Sequence, residues 1–427
     1  MTAAERIPLA DHVADALALL APVRSGEVLP LGALAVGRVA RVDARSRVDV
    51  PGHDNSQMDG YAVCTAHLEA ALTADGSAAM QRGSMIAAGD APGTLHAGTA
   101  RPIMTGAPIP QGADAVIPVE ESAAGRFEPG RGREREGSEN GTVTLAPVSR
   151  DPGRYVRRRG SDTHAGDTVL RAGQVLTPAR IAHLAACGLA DVEVESRLRV
   201  IVLSTGSEVA VPGASPVAGG VFDANGPGLS AALTAAGAEV VHCAAVPDDA
   251  AALLSRLRAL VDSYDADLVV TSGGVSAGAF EVVRDAAGSA GVTMAFPKVA
   301  MQPGGPQGIG TLDLPARRVP WLAFPGNPVS ALLSCELIAR PALGSPPRTR
   351  LRLPVGVELP EPSPLALEQY RRARLLPSGR VRLVGGASSH LIGGLAAADA
   401  LVIVPVGTDM VHDGDMLETV LIPGGDS

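Results

Sequence analysis

The sequence predicts a multidomain α/β and β protein, with a doubly wound, mostly parallel sheet flanked on both sides by β-rich segments. Two observations carry this. Between about residue 198 and residue 345, short apolar runs alternate with helical stretches, the pattern of consecutive βαβ units. Before and after that stretch, short alternating segments are broken repeatedly by Gly and Pro. Composition agrees: 46% of residues are hydrophobic but only 2% are aromatic, and there are 50 Gly and 34 Pro. The cores must therefore be built from Val, Leu and Ala with many enforced turns, which disfavours long helical bundles.

Taken in chain order, LADHVADALALL (Leu9–Leu20) spaces its apolar residues on one helical face and needs a surface to cover it. From about Val36 the texture is that of short strands. GRFEPGRGREREGSENG (125–141) has mixed charge and no periodicity, and is expected to be a solvated hairpin tip. PARIAHLAACG then starts a helix after Thr177, with Gly188 as its stop. Strands are expected at 198–203, 238–246, 267–270, 292–296 and 321–324, with helices at 227–236, 249–263, 280–290 and 328–339. From about Pro346 to Ser427 the Pro-rich strand texture returns as a small β domain.

Charge and cysteine usage narrow the partners. A net charge of -9 leaves little field to attract a polyanion, so nucleic acid is not expected. Cys64, Cys187, Cys243 and Cys335 are far apart and form no metal-ligand spacing, which fits a reduced, cytoplasmic setting. The N-terminus carries Glu5, Asp11 and Asp15 in place of a basic leader, and no apolar run reaches 18 residues, so neither export nor a membrane is expected.

Candidate chemistry lies where the predicted strands end. STGSE (204–208), PDD (247–249), TSGGVS (271–276) and PGNP (325–328) each follow a strand. In an open parallel sheet these ends share one edge, the usual ligand crevice. TSGGVSAG (271–278) has three glycines with which backbone N–H groups can approach an oxyanion at a helix N-terminus. Asp248 and Asn327 each precede a helix, so a capping role competes with a ligand role. GVSAG also matches the nucleophile elbow of serine hydrolases, but His390 and His412, the downstream histidines an elbow needs, fall in the C-terminal β segment.

Six collinear stretches resemble the MoeA/gephyrin E-domain family of molybdopterin molybdenumtransferases: NSQMDGYAV (55–63), MTGAPIPQGADAVIPVEE (104–121), RRRGSD followed by AGD (157–167), STGSEV (204–209), TSGGVSAG (271–278) and FPGNPVS (324–330). The resemblance implies a composite N-terminal domain from 1–45 and 146–190, an inserted β domain at 46–145, a MogA-like α/β domain at 191–345 and a C-terminal β-barrel-like domain at 346–427. It implies a homodimer that inserts molybdate into adenylylated molybdopterin with release of AMP, assisted by Mg2+. Molybdopterin adenylyltransferase and recipient molybdoenzymes are the implied protein partners.

Carried over residue by residue, the resemblance assigns catalysis to Asp59, Thr105, Glu208 and Asp248, with Glu208 and Asp248 as metal ligands. It assigns substrate binding to Arg157, Asp162, Thr205, Ser272, Gly273, Gly274, Ser276, Glu281, Lys298, Pro325, Pro328, Arg372 and Ser389. Asp59 and Thr105 are implied to complete the crevice of the other subunit. The chemistry agrees, because cleaving a phosphoanhydride calls for donors and a metal to absorb developing charge and for carboxylates to hold that metal. The chain departs from the family at Ser207, where an aspartate is usual, at Glu281, where Asp is common, and at Gln302 and Gly305, where many members carry lysines. The alternative these departures leave open is a catalytically weakened paralogue that binds molybdopterin or acts as a scaffold.

Overall fold

The structure is a computed structural model that describes residues 6–127, 141–214, 218–276 and 281–423; most of the charged 125–141 stretch lies outside the described residues. Its centre is a six-stranded sheet in the order Glu239–Val246, Arg199–Thr205, Leu268–Ser272, Arg318–Phe324, Gly308–Asp313, Val292–Ala295. The first four strands are parallel. The last two form an antiparallel edge. The doubly wound expectation holds, with one addition: Gly308–Asp313 is a strand that the sequence pattern does not reveal.

Alternation along the strands divides the core between two faces, as period 2 requires. Val200, Val202, Val270, Leu322 and Phe324 pack on one side with Leu229 and Leu233. Ile201, Leu203, Val269, Trp321 and Ala323 pack on the other with Leu253, Leu257 and Val261. The helices Asn225–Ala235, Ala250–Tyr264 and Pro328–Ser334 fall where expected. The helix expected over 280–290 is shorter, spanning Val282–Ala286.

The N-terminal helix Leu9–Leu20 covers its own apolar face inside the chain. Ala16 and Leu20 are fully buried in the first of these cores, and burying a leucine side chain contributes about 1.5–3 kcal/mol. A second subunit is not needed to cover this helix. The same face buries His12, whose Nδ1 has no hydrogen-bond partner in the structure. Burial pushes the His12 pKa below its ordinary 6.5, against a smaller opposing pull from Asp15. The folded state therefore disfavours the charged ring, and as pH falls below 6.5 the unfolded chain takes up the proton first, so stability is lost on acidification. Melting temperature should drop less between pH 7 and pH 5 in His12→Leu than in the parent protein; equal slopes would refute the assignment.

The remaining sheets carry the outlying residues. Gly26–Pro30 pairs antiparallel with Asp191–Glu195. The helix Pro178–Ala186 beside them begins at Thr177, whose hydroxyl accepts from Arg180 N, and is followed by Gly188 at φ +81°. A five-stranded sheet contains Gly60–Val63 between Ala115–Pro118 and Thr99–Ile103, over a core of Tyr61, Val63, Leu68, Met80, Ile117 and Leu145. Near the C-terminus five strands close on themselves, from Glu368–Leu375 through Val381–Leu383, Arg350–Gly356, Met416–Leu421 and Ala400–Val404 back to the first. Valines and alanines fill the small barrel.

Candidate functional site

At the C-terminal ends of the parallel strands lies a cavity of about 740 Å³. Its walls are the loops that follow each strand, and side chains lace those loops together. Ser204 Oγ donates to Asp223 Oδ1 at 2.9 Å. Asn225 Nδ2 donates to Ser272 Oγ at 2.8 Å and to Gly326 O at 2.7 Å. Ser272 Oγ in turn donates to Pro325 O at 3.1 Å. Three strand ends are thereby held in one register, which is the preorganisation a binding site needs.

The cavity gathers Thr205, Glu208, Asp248, Gly273, Gly274, Ser276, Glu281, Pro325 and Pro328 from the sequence-derived set. Ser272 stands directly behind them, buried. Asp248 is not the helix cap: Asp249 caps Ala250–Tyr264 by accepting from Ala252 N at 2.7 Å. Asp248 instead faces Ser207, taking the Ser207 N–H at 3.0 Å and giving its own N–H to Ser207 Oγ at 3.3 Å. The departure at position 207 therefore anchors an acidic neighbour. Asn327 sits at the cap position of Pro328–Ser334 with no side-chain capping bond. Ser276 donates to Glu281, and no histidine lines the cavity among the described residues, so an acyl-transfer elbow lacks its base.

Glu208, Asp223, Asp248 and Glu281 contribute carboxylates, and among the described residues no Lys or Arg lines the cavity. Also among the described residues, no group of three or more His, Cys, Asp or Glu converges as a ready-made metal site. Two carboxylates whose remaining partners are water and substrate phosphate are the usual donor set for Mg2+. Glu208 and Asp248 are carboxylates of that type, and both line the cavity.

Other expected residues lie outside this cavity. Asp59 Oδ1 accepts from Thr105 N at 2.7 Å and from Thr105 Oγ1 at 2.8 Å, and both residues are exposed. Arg157 pairs with Asn55 in a two-residue ladder, and Arg157 and Asp162 are also exposed. Lys298 is exposed and bridges Pro306, which does line the cavity. Arg372 is 2% exposed and donates to Ser388 O at 3.0 Å and to Gly386 O. Ser389 O accepts from Val329 N at 3.3 Å. Arg372 and Ser389 thus brace the C-terminal barrel against the start of the helix at Pro328. Sequence reasoning missed Phe222, Asp223 and Asn225, for which the only signal is the string FDANG following a strand-like pair.

Three family models match the chain: the MoeA N-terminal region (domain I and II) over residues 7–188, a probable molybdopterin binding domain over 201–345 and the MoeA C-terminal region (domain IV) over 356–422. The chain is 40% identical over 399 residues to a molybdopterin molybdenumtransferase 2 of Mycobacterium tuberculosis, covering 90% of this chain and 92% of that protein. It is 32% identical to a molybdopterin molybdenumtransferase of Synechococcus elongatus, covering 89% and 91%. A solved molybdopterin biosynthesis MoeA protein from Pyrococcus horikosii superposes with a TM-score of 0.76 at 26% identity, covering 98% of this chain and 99% of that one. With three family models matched in order and nine-tenths of the chain covered at 40% identity, the chain belongs to the MoeA family.

Proposed function

We propose that the protein is a molybdopterin molybdenumtransferase: it binds adenylylated molybdopterin and molybdate in the strand-end cavity, cleaves the phosphoanhydride to release AMP and leaves molybdenum on the dithiolene. The observation that carries this reading is the placement of Glu208 and Asp248 on the wall of that cavity in a chain of this family. Glu208 and Asp248 would hold Mg2+, which when bound would supply charge neutralisation at the phosphates. Asp248 is fixed by Ser207, while Gly273 and Gly274 let the backbone come close to an anion.

The reading includes a cytoplasmic homodimer. Asp59, Thr105, Arg157 and Asp162 form no part of the cavity wall of their own chain, yet they are polar, exposed and held by hydrogen bonds or strand pairing. A second subunit related by a two-fold axis brings such a surface to the other's crevice. Molybdopterin adenylyltransferase supplies the substrate in this scheme, and molybdoenzymes receive the product.

Incubation with adenylylated molybdopterin, Mg2+ and molybdate should release AMP, and omission of either Mg2+ or molybdate should suppress it. An enzyme that binds the substrate but leaves it intact under all conditions would overturn the assignment. Light scattering at micromolar concentration should give twice the 43.2 kDa chain mass; a monomeric mass would remove the shared site.

A further inference from the structure

The geometry points to a heterocycle-reading subsite at one end of the cavity, made by the face of Phe222 and the carboxylate of Asp223; this inference rests on the functional reading above and assigns two residues that reading does not use. Phe222 is 53% exposed in a chain with only five phenylalanines. Among the described residues it is the only aromatic side chain lining the cavity, and Val209 and Val221 lie beside it as apolar neighbours.

The platform is tied to the carboxylate chemistry by backbone. Val209–Ala210 and Val221–Phe222 form a short parallel ladder. Glu208 O accepts from Val221 N at 3.0 Å, and Ala210 O accepts from Asp223 N at 2.8 Å. Asp223 follows at once and is 8% exposed. Its Oδ1 is taken by Ser204 Oγ at 2.9 Å and Gly226 N at 2.8 Å, which fixes the carboxylate plane. An exposed ring face next to a buried, oriented acceptor matches a flat nitrogen heterocycle, stacked on its π-face and giving one N–H from its edge. A simple oxyanion would gain nothing from either group. In the adenylylated substrate two rings have this chemistry, the adenine and the pterin, and binding measurements separate them.

Three ligands test the inference on the intact protein: AMP, ribose 5-phosphate, which keeps the phosphate but lacks the ring, and a free pterin. Phe222→Ala should weaken AMP or the pterin about 5- to 140-fold, the range for losing one base–aromatic stack, and leave ribose 5-phosphate unchanged; the ring compound that responds identifies the source. Phe222→Tyr should bind within about twofold of the parent, since it keeps the stacking face. Phe222→Trp adds a direct optical readout, because the native Trp321 is fully buried and donates to Thr271 Oγ1 at 3.0 Å, so ligand-induced quenching reports position 222. Asp223→Asn should lower affinity for the same ring compound.

Unchanged affinities in a Phe222→Ala protein that melts normally, with no quenching in Phe222→Trp, would overturn the subsite. A Phe222→Ala protein that falls to monomer mass would also overturn it, by showing that the ring is a subunit contact. If the parent protein binds AMP and ribose 5-phosphate alike and neither depends on Phe222, this inference alone fails. If the parent binds none of the three, the functional reading fails with it.

Discussion

Asp59→Asn is expected to lower AMP release by about 100-fold or more while leaving the fold intact, the scale for removing one preorganised electrostatic group. The structural part of the expectation comes from how Asp59 is held. Its Oδ1 caps the turn at Thr105 through both the backbone N–H and the hydroxyl, and an asparagine Oδ1 can accept the same two bonds. Only the charge is lost. The residue lies outside the cavity of its own chain, so a catalytic effect of that size demands that it act on another chain's substrate. Mixing Asp59→Asn with Asp248→Asn tests this directly. Random assortment makes about half of the dimers hybrids, each with one intact site of two, so roughly a quarter of parental activity should return. Verified hybrids with no recovered activity would place each complete site within one subunit, and undiminished turnover in Asp59→Asn alone would remove the residue from the chemistry.

The turn that carries Asp59 shows what sequence can and cannot supply. Its motif NSQMDGYAV is legible as a family signature, and the structure adds what its polar residues do locally. Ser56 Oγ donates to Met58 O at 2.6 Å, Asp59 caps Thr105, and Tyr61 is buried with its ring edge against Phe127 at 5.8 Å. The parallel strands were legible because their apolar runs are buried on both faces. Gly308–Asp313 was not, since GIGTLD offers no side-chain pattern; there the glycine is demanded by close strand approach, because a Cβ on Gly310 would lie 1.8 Å from Thr293 O. Asp248 and Asp249 could not be told apart by capping logic, which places a cap only to within a residue.

The two missing lysines read differently in three dimensions. Gln302 accepts from Gln369 Nε2 at 2.7 Å in the joint with the C-terminal barrel. Gly305 is buried, with a Cβ position 3.2 Å from the Arg6 guanidinium. Neither lines the cavity, where this loop is represented by Pro306 alone. The sequence registers that two cations are absent but not that an arginine from the N-terminus stands beside one of the vacated positions, since that contact joins residues far apart in the chain.

Gly273→Ala should be the most damaging single-methyl change at the site. Gly273 has φ +100°, where an L-residue is strained by about 1 kcal/mol or more. An added Cβ would lie 2.5 Å from Thr205 Oγ1 and 2.9 Å from Thr205 O. The hydroxyl can rotate away, but the carbonyl belongs to a strand paired on both sides and cannot. Nor is position 273 free to retreat: its N–H donates to Phe324 O at 3.0 Å. The strand ends must therefore separate, so we expect a stability loss of about 2–4 kcal/mol, in the range of other overpacking and backbone-strain mutations, and AMP release reduced about 100-fold or more as the donors move off target. Gly393→Ala is the control, because it lies in the helix Ile392–Ala396 with nothing within 4 Å of its Cβ and no positive φ. It should be neutral or stabilising by up to about 1 kcal/mol. If Gly273→Ala melts like the parent and binds substrate normally, the strand ends are compliant. The cavity would then owe its shape to the ligand, not to the hydrogen bonds through Asn225 and Ser272 that hold these loops.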